Sequence, residues 1–198
     1  MATITLDYGA ADPLILEMAE GSLVTECRGP TGAAGAAAAR AVADAVTSPA
    51  HGPPLAAHVV PGDRVAIAVA GTVPQPAEVV ATVIDGLGAA GVAADGIQVL
   101  HAADAAAVPP GALEFDRDHD AATSYLAADE AGHPLYLARQ LVDADVVVAV
   151  GAWEWNAALG GRGLEGELWP AFSRAAAADD LTRDLARRGR LALADWKA

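Results

Sequence analysis

Short apolar runs separated by polar or glycine-rich breaks recur along the chain, and the strongest lies in residues 141–161. Val146, Val147, Val148 and Val150 form a β-branched run with no polar alternation. Such a run reads as a central strand covered on both faces. Asp143 and Asp145 lead into it and Gly151 ends it. In open α/β folds the ligand site lies beyond the carboxyl ends of such strands, which directs attention to the loop at residues 151–163.

The same reading extends along the chain. Residues 4–8 and 14–18 are two short strands close together before any helix, a small antiparallel edge. Thr31 is placed to cap an alanine-rich helix running to about Val46, and Ser48-Pro49 stops it. Residues 55–60 are ambiguous, and Pro61-Gly62-Asp63 is a turn. Residues 64–70, RVAIAVA, are a second strong strand, with a loop at residues 71–76 on its carboxyl end. A helix follows from about Pro76 to Gly88, in which Val80, Val83, Ile84 and Leu87 share one buried face. Residues 97–101, IQVLH, form the next strand, so strand, helix and strand make a βαβ unit, expected to be right-handed. The signal weakens over residues 102–120. Residues 124–127 and 135–137 pair as a hairpin around a turn at 129–133, and residues 139–142 are a short helical connection. A final helix starts near Ala176, with Leu181, Leu185 and Leu191 turned inward. Asp179 and Asp180 suit its amino end, and Arg187 and Arg188 its carboxyl end. The fold expected is α/β: an open, mostly parallel sheet with flanking helices and a small antiparallel edge. It forms a single domain over residues 1–198, with edge strands in 1–28 and a helical segment in 164–198.

Composition narrows the function. With 198 residues, 54% of them hydrophobic, the chain can build a real core. Much of that content is alanine, so the Val, Leu and Ile positions must carry the core. Acidic residues number 26 against 12 basic ones, a formal charge of −14. That surface repels phosphate backbones and anionic membranes, which argues against a nucleic-acid or membrane partner. One cysteine, Cys27, allows no internal disulfide and no cysteine-rich metal site. The start lacks the basic and apolar regions of a signal peptide, and no uncharged apolar stretch is long enough to span a bilayer, so a cytoplasmic location is expected.

Candidate chemistry is sparse. None of the five histidines stands in a metal-ligand spacing, so no metal site is expected. His119, in the acidic run DRDHD, is set among carboxylates that favour a charged imidazole, or else is part of a solvated turn. No GxSxG elbow, P-loop or GxGxxG occurs. Gly160-Gly161-Arg162-Gly163 offers backbone N–H groups and a cation to an anion, or is a plain turn. Trp153 and Trp155 would wall an apolar pocket or, with Trp169, anchor a protein partner.

Taken together, residues 4–163 resemble the N-terminal domain of the nickel-dependent lactate racemase family. The resemblance rests on Tyr8-Gly9, on SPAHGPPLAAHVVPGDRVAIAVAGTVPQP at 48–76, and on LGAAGVAADGIQVL at 87–100. It continues through His119-Asp120 and GHPLYLARQLVDADVVVAVG at 132–151, in the family's order and spacing. The resemblance implies racemization or epimerization of 2-hydroxy acids by hydride transfer. The family uses a nickel-pincer nucleotide tethered to a lysine, a histidine on the metal, two acid/base histidines and a larger second domain.

The chain departs from that pattern at the functional positions. GTVPQ, residues 71–75, stands where the family has Asp-x-x-Arg-Pro, and DAAA, residues 104–107, where it has Gly-Thr-His-Arg. Asn156 replaces a histidine, and Arg162 or Gly163 falls at the tethering lysine. The only lysine is Lys197, and no second domain is expected within the 198 residues. The expectation is a lactate racemase-like domain without the nickel-pincer cofactor, binding a small molecule such as a 2-hydroxy acid, or a protein partner. Its ligand-binding residues would be Gly71, Thr72, Asp104, Trp153, Asn156, Gly160, Gly161 and Arg162. The alternative is an active 2-hydroxy acid racemase or epimerase. Its catalytic candidates would be His101, His119 and Asn156, with Arg162 as carboxylate anchor.

Overall fold

A computed structural model describes residues 2–6, 12–19, 21–22, 32–71, 73–103, 105, 108–128, 132–152, 154–156, 160–162, 168–177, 179–180 and 183. These residues form β1 (Ala2–Leu6), β2 (Leu14–Met18), α1 (Ala36–Thr47), β3 (Val65–Val69), α2 (Pro76–Ala89), β4 (Ile97–His101) and β5 (Leu113–Glu114). They continue with β6 (Thr123–Ala128), β7 (Pro134–Ala138), α3 (Arg139–Val142), β8 (Val146–Val150), β9 (Glu154–Asn156) and β10 (Gly160–Arg162). The chain divides into two compact units, residues 1–32 and 33–198. In the first, β1 and β2 pair antiparallel as a two-stranded sheet of their own, from Ala2↔Met18 to Leu6↔Leu14.

The second unit is built on a four-stranded parallel sheet in the order β5-β4-β3-β8. β3 lies inside it and is buried along its whole length. Side chains alternate across a strand, and here the alternation sorts by size. Val65, Ile67 and Val69 meet Val80, Val83 and Leu87 of α2, with Val42 and Val46 of α1 packed beside them. Ala66, Ala68 and Ala70 face the other way, toward Phe115, Leu141 and Phe172. The small alanines leave room for the aromatic rings, and Phe115 and Phe172 sit with centroids 5.9 Å apart. That second face is covered by the β6–β7 hairpin, α3 and residues 168–174. Phe172 O accepts from Ala138 N at 2.7 Å, and Ser173 Oγ donates to Tyr136 O at 2.6 Å. The Arg174 guanidinium lies 3.6 Å from the centre of the Tyr136 ring while its Nε donates to Thr123 Oγ1.

Several expectations are corrected. The valine run of β8 forms a strand, but it is the outermost strand of the described sheet, and Val147 is 37% exposed. β-branched residues report a fit to extended backbone, not a place in the sheet. The centre belongs to β3, whose large/small alternation serves two packed faces. α1 begins at Ala36 behind Gly35, with no side-chain cap, and Thr31 lies outside the described residues. The ambiguous residues after Pro54 form a 3-10 turn, Leu55–His58. The weak stretch after β4 contains the two-residue strand β5, and the loop after β8 contains the antiparallel pair β9–β10. Helical backbone is present at 175–177, 179–180 and 183; Leu181, Leu185, Leu191, Arg187 and Arg188 lie outside the described residues. No helix among the described residues is long and apolar enough to cross a membrane.

Candidate functional site at the carboxyl ends of the parallel strands

Strand order locates the site. The chain passes β3, β4 and β5 in one direction across the sheet and then returns to the far side of β3 for β8. The reversal falls between β3 and β8, and in open α/β sheets ligands bind beyond the carboxyl ends of the strands at such a point. Register aligns those ends: Val69 lies beside His101 on one side and Val150 on the other. Ala70 N donates to Val150 O at 3.1 Å, and Ala102 N to Val69 O at 3.0 Å, so the ladder holds to the last residue of each strand. Gly71, Ala102 and Gly151 therefore begin three neighbouring loops.

The loop after β3 has an unusual anchor. Gly71 has φ 67°, a left-handed conformation that glycine adopts without a Cβ penalty. Gln75 has φ 51° and ψ 53°, left-handed without being glycine, at the residue before Pro76. Its side chain does not cap α2. Instead Nε2 donates to Ala33 O at 3.0 Å, and Oε1 accepts from Gly35 N. One amide thus ties the site loop to the backbone just ahead of α1. Sequence reading missed Gln75; the signal was a long polar side chain between two prolines, Pro74 and Pro76.

The opposite end of the sheet is held by charge. Arg64 N donates to Asp145 Oδ2 at 2.9 Å, and the guanidinium lies 3.5 Å from the same oxygen. Asp145 N in turn donates to Arg64 O at 2.9 Å. The Arg64 N–H holds the Asp145 carboxyl below the usual carboxylate range, partial desolvation opposes this, and the charge and side-chain hydrogen bond of Arg64 add to the lowering.

The predicted site residues separate into groups. Gly71 and His101 stand in the carboxyl-end row. Thr72, Asp104 and Trp153 lie outside the described residues. Asn156, Gly160, Gly161 and Arg162 come together in one hairpin, with Gly160 opposite Asn156 and Arg162 opposite Glu154; only their backbone is described. His119 is exposed in the turn between β5 and β6, its carbonyl accepting from Ala122 N at 2.8 Å. Trp169 is half-buried, three residues ahead of Phe172 in the chain. An apolar cavity of about 400 Å³ lies elsewhere, between α2 and Pro109-Pro110, lined by Ala77, Val80, Ala81 and Ile84 with Glu78. None of the predicted site residues lines it.

No protein-family model matches the chain, and no curated protein matches it in sequence. Its fold is similar to that of the lactate racemase apoprotein from Thermoanaerobacterium thermosaccharolyticum, with a TM-score of 0.62 at 16% identity. The match covers 89% of this chain and 45% of that one, so the chain spans less than half the length of the racemase. The expected α/β architecture is thus found, and with it a domain related in fold to the racemase.

Proposed function

We propose that this chain is a small-molecule-binding domain on a lactate racemase-type frame, working without nickel-pincer chemistry. The observation that carries this reading is the state of the loop after β3. It lies at the reversal point of the sheet, yet its described residues bring no acid, arginine, lysine or histidine to that place. Its one long polar side chain, Gln75, is engaged by Ala33 and Gly35. The donor set also does not fit the racemase cofactor. A tether needs a lysine, and the chain has only Lys197. Among the described residues no group of three or more His, Cys, Asp or Glu side chains is placed to hold a metal. The parts that remain are backbone: a parallel sheet, aligned strand ends, and loops that begin at Gly71, Ala102 and Gly151 above a core that includes Val69 and Val150. Such a site orients a small ligand through a few directed hydrogen bonds over an apolar surface.

Screening a library of small polar fragments against the isotope-labelled full chain by amide NMR tests this reading. The amide shifts of Gly71, Ala102 and Gly151 should respond together to at least one chemical class. Fragments that perturb only the groove beside Pro109-Pro110, or none of these amides, would contradict it.

A further inference from the structure

β4 and β5 run parallel and side by side, Leu100 against Leu113 and His101 against Glu114. Parallel neighbours need a crossover connection, usually a helix laid over the sheet. The steps β3 to β4 and β4 to β5 go the same way across the sheet, and right-handed crossovers that step one way fall on one face. A helix between β4 and β5 would therefore lie beside α2. Here the connection is residues 102–112, and its described residues are turns and irregular backbone. Pro109 is fully buried, its carbonyl accepting from Ala112 N at 3.2 Å, and Pro110 beside it is exposed. Two prolines fix their backbone and offer no N–H, so this wall is stiff and largely apolar. α2 supplies the facing wall. Val80, Val83 and Leu87 are its core stripe. Ala77, Val80, Ala81 and Ile84, at i, i+3, i+4 and i+7, form a second stripe along the cavity of about 400 Å³. The cavity thus occupies the flank of α2 that a crossover helix would cover.

We propose that this cavity is a second ligand site, taking a small molecule with a compact apolar body and an ammonium group. Its volume falls in the range of small-ligand sites, about 300–1,000 Å³. The stripe on α2 spans only Ala77 to Ile84, about two turns, which suits a small molecule better than a partner helix. Val80, Ala81, Ile84, Pro109 and Pro110 give an apolar body a surface that shields it from water. The charge in the lining is Glu78, an exposed acid in the first turn of α2. An ammonium pairs with it, and the chain's formal charge of −14 attracts cations and repels anions. This site is separate from the strand-end loops and does not rest on their binding function.

Methyl NMR on the full chain tests this with three probes of one size: benzylamine, benzyl alcohol and benzoate. The methyl signals of Ala77, Val80, Ala81 and Ile84 should move together with benzylamine. Its affinity should exceed that of benzyl alcohol by about two- to fivefold, as for a solvent-exposed charge pair. Benzoate should bind weakest, and added salt should shrink the amine's advantage. Glu78→Gln should bring benzylamine level with benzyl alcohol. Ala81→Phe, which fills the cavity from an exposed position, should abolish the response to both. Methyls that stay unmoved by all three probes overturn the site, as does a response retained in Ala81→Phe. Benzyl alcohol or benzoate equal to benzylamine overturns the ligand class, and so does an amine preference that survives Glu78→Gln. The strand-end site is judged separately, by the Gly71, Ala102 and Gly151 amides in the fragment screen.

Discussion

Asp145 is the residue whose surroundings leave the clearest thermodynamic mark. Its carboxyl titrates below the usual carboxylate range because the Arg64 N–H, then the Arg64 charge, favour the ionised form. A carboxyl lowered on folding adds stability above its unfolded pKa, and that stability is lost as pH falls through the folded value. The melting temperature should therefore fall between about pH 5 and pH 3, and Asp145→Asn should flatten that part of the profile. Parallel pH profiles for the two proteins would contradict the assignment. Gln75 makes a different point at this scale. It combines a left-handed backbone with a double hydrogen bond to a segment some forty residues away. Neither half was visible in the sequence, because a side chain's distant partner is a product of the fold. The backbone roles were easier to read: Gly71 ends a strand and Pro76 starts a helix for reasons contained in the residues themselves.

At the scale of elements, α2, β4, the β6–β7 hairpin and α3 were legible from periodicity. Val80, Val83 and Leu87 recur at helical spacing and are the buried positions of α2. β8 was misplaced toward the centre because apolar content does not separate an inner strand from an outer one, whereas the Val/Ala alternation of β3 does. β5 was too short to carry a pattern. The difference between β3 and β8 has a measurable consequence. Ile67→Ala opens a cavity between two packed layers and should cost about 2–5 kcal/mol. Val147→Thr on the outer strand should stay within about 0.5 kcal/mol. Denaturant melts giving equal losses would contradict this difference in packing between the two strands.

For the whole molecule, the legible part was the frame and the obscure part was the site. A frame is specified by repeated local choices, each leaving its own trace in the sequence. A site needs side chains from separate loops to converge, and here several of the expected ones lie outside the described residues or, like His119, stand exposed on another turn. His101 is the exception. Its place at the end of a parallel strand was readable, and its Nδ1 lies 3.0 Å from the Ala102 carbonyl oxygen. The racemase-like architecture and the single lysine, Lys197, are the grounds on which the proposed function separates shape from chemistry. That separation is tested most directly by measuring metal content and racemization on one sample of the purified full chain, with lactate and other 2-hydroxy acids as substrates. The account predicts nickel far below one equivalent per chain and no interconversion of enantiomers. Stoichiometric nickel with turnover that is lost on chelation would contradict it.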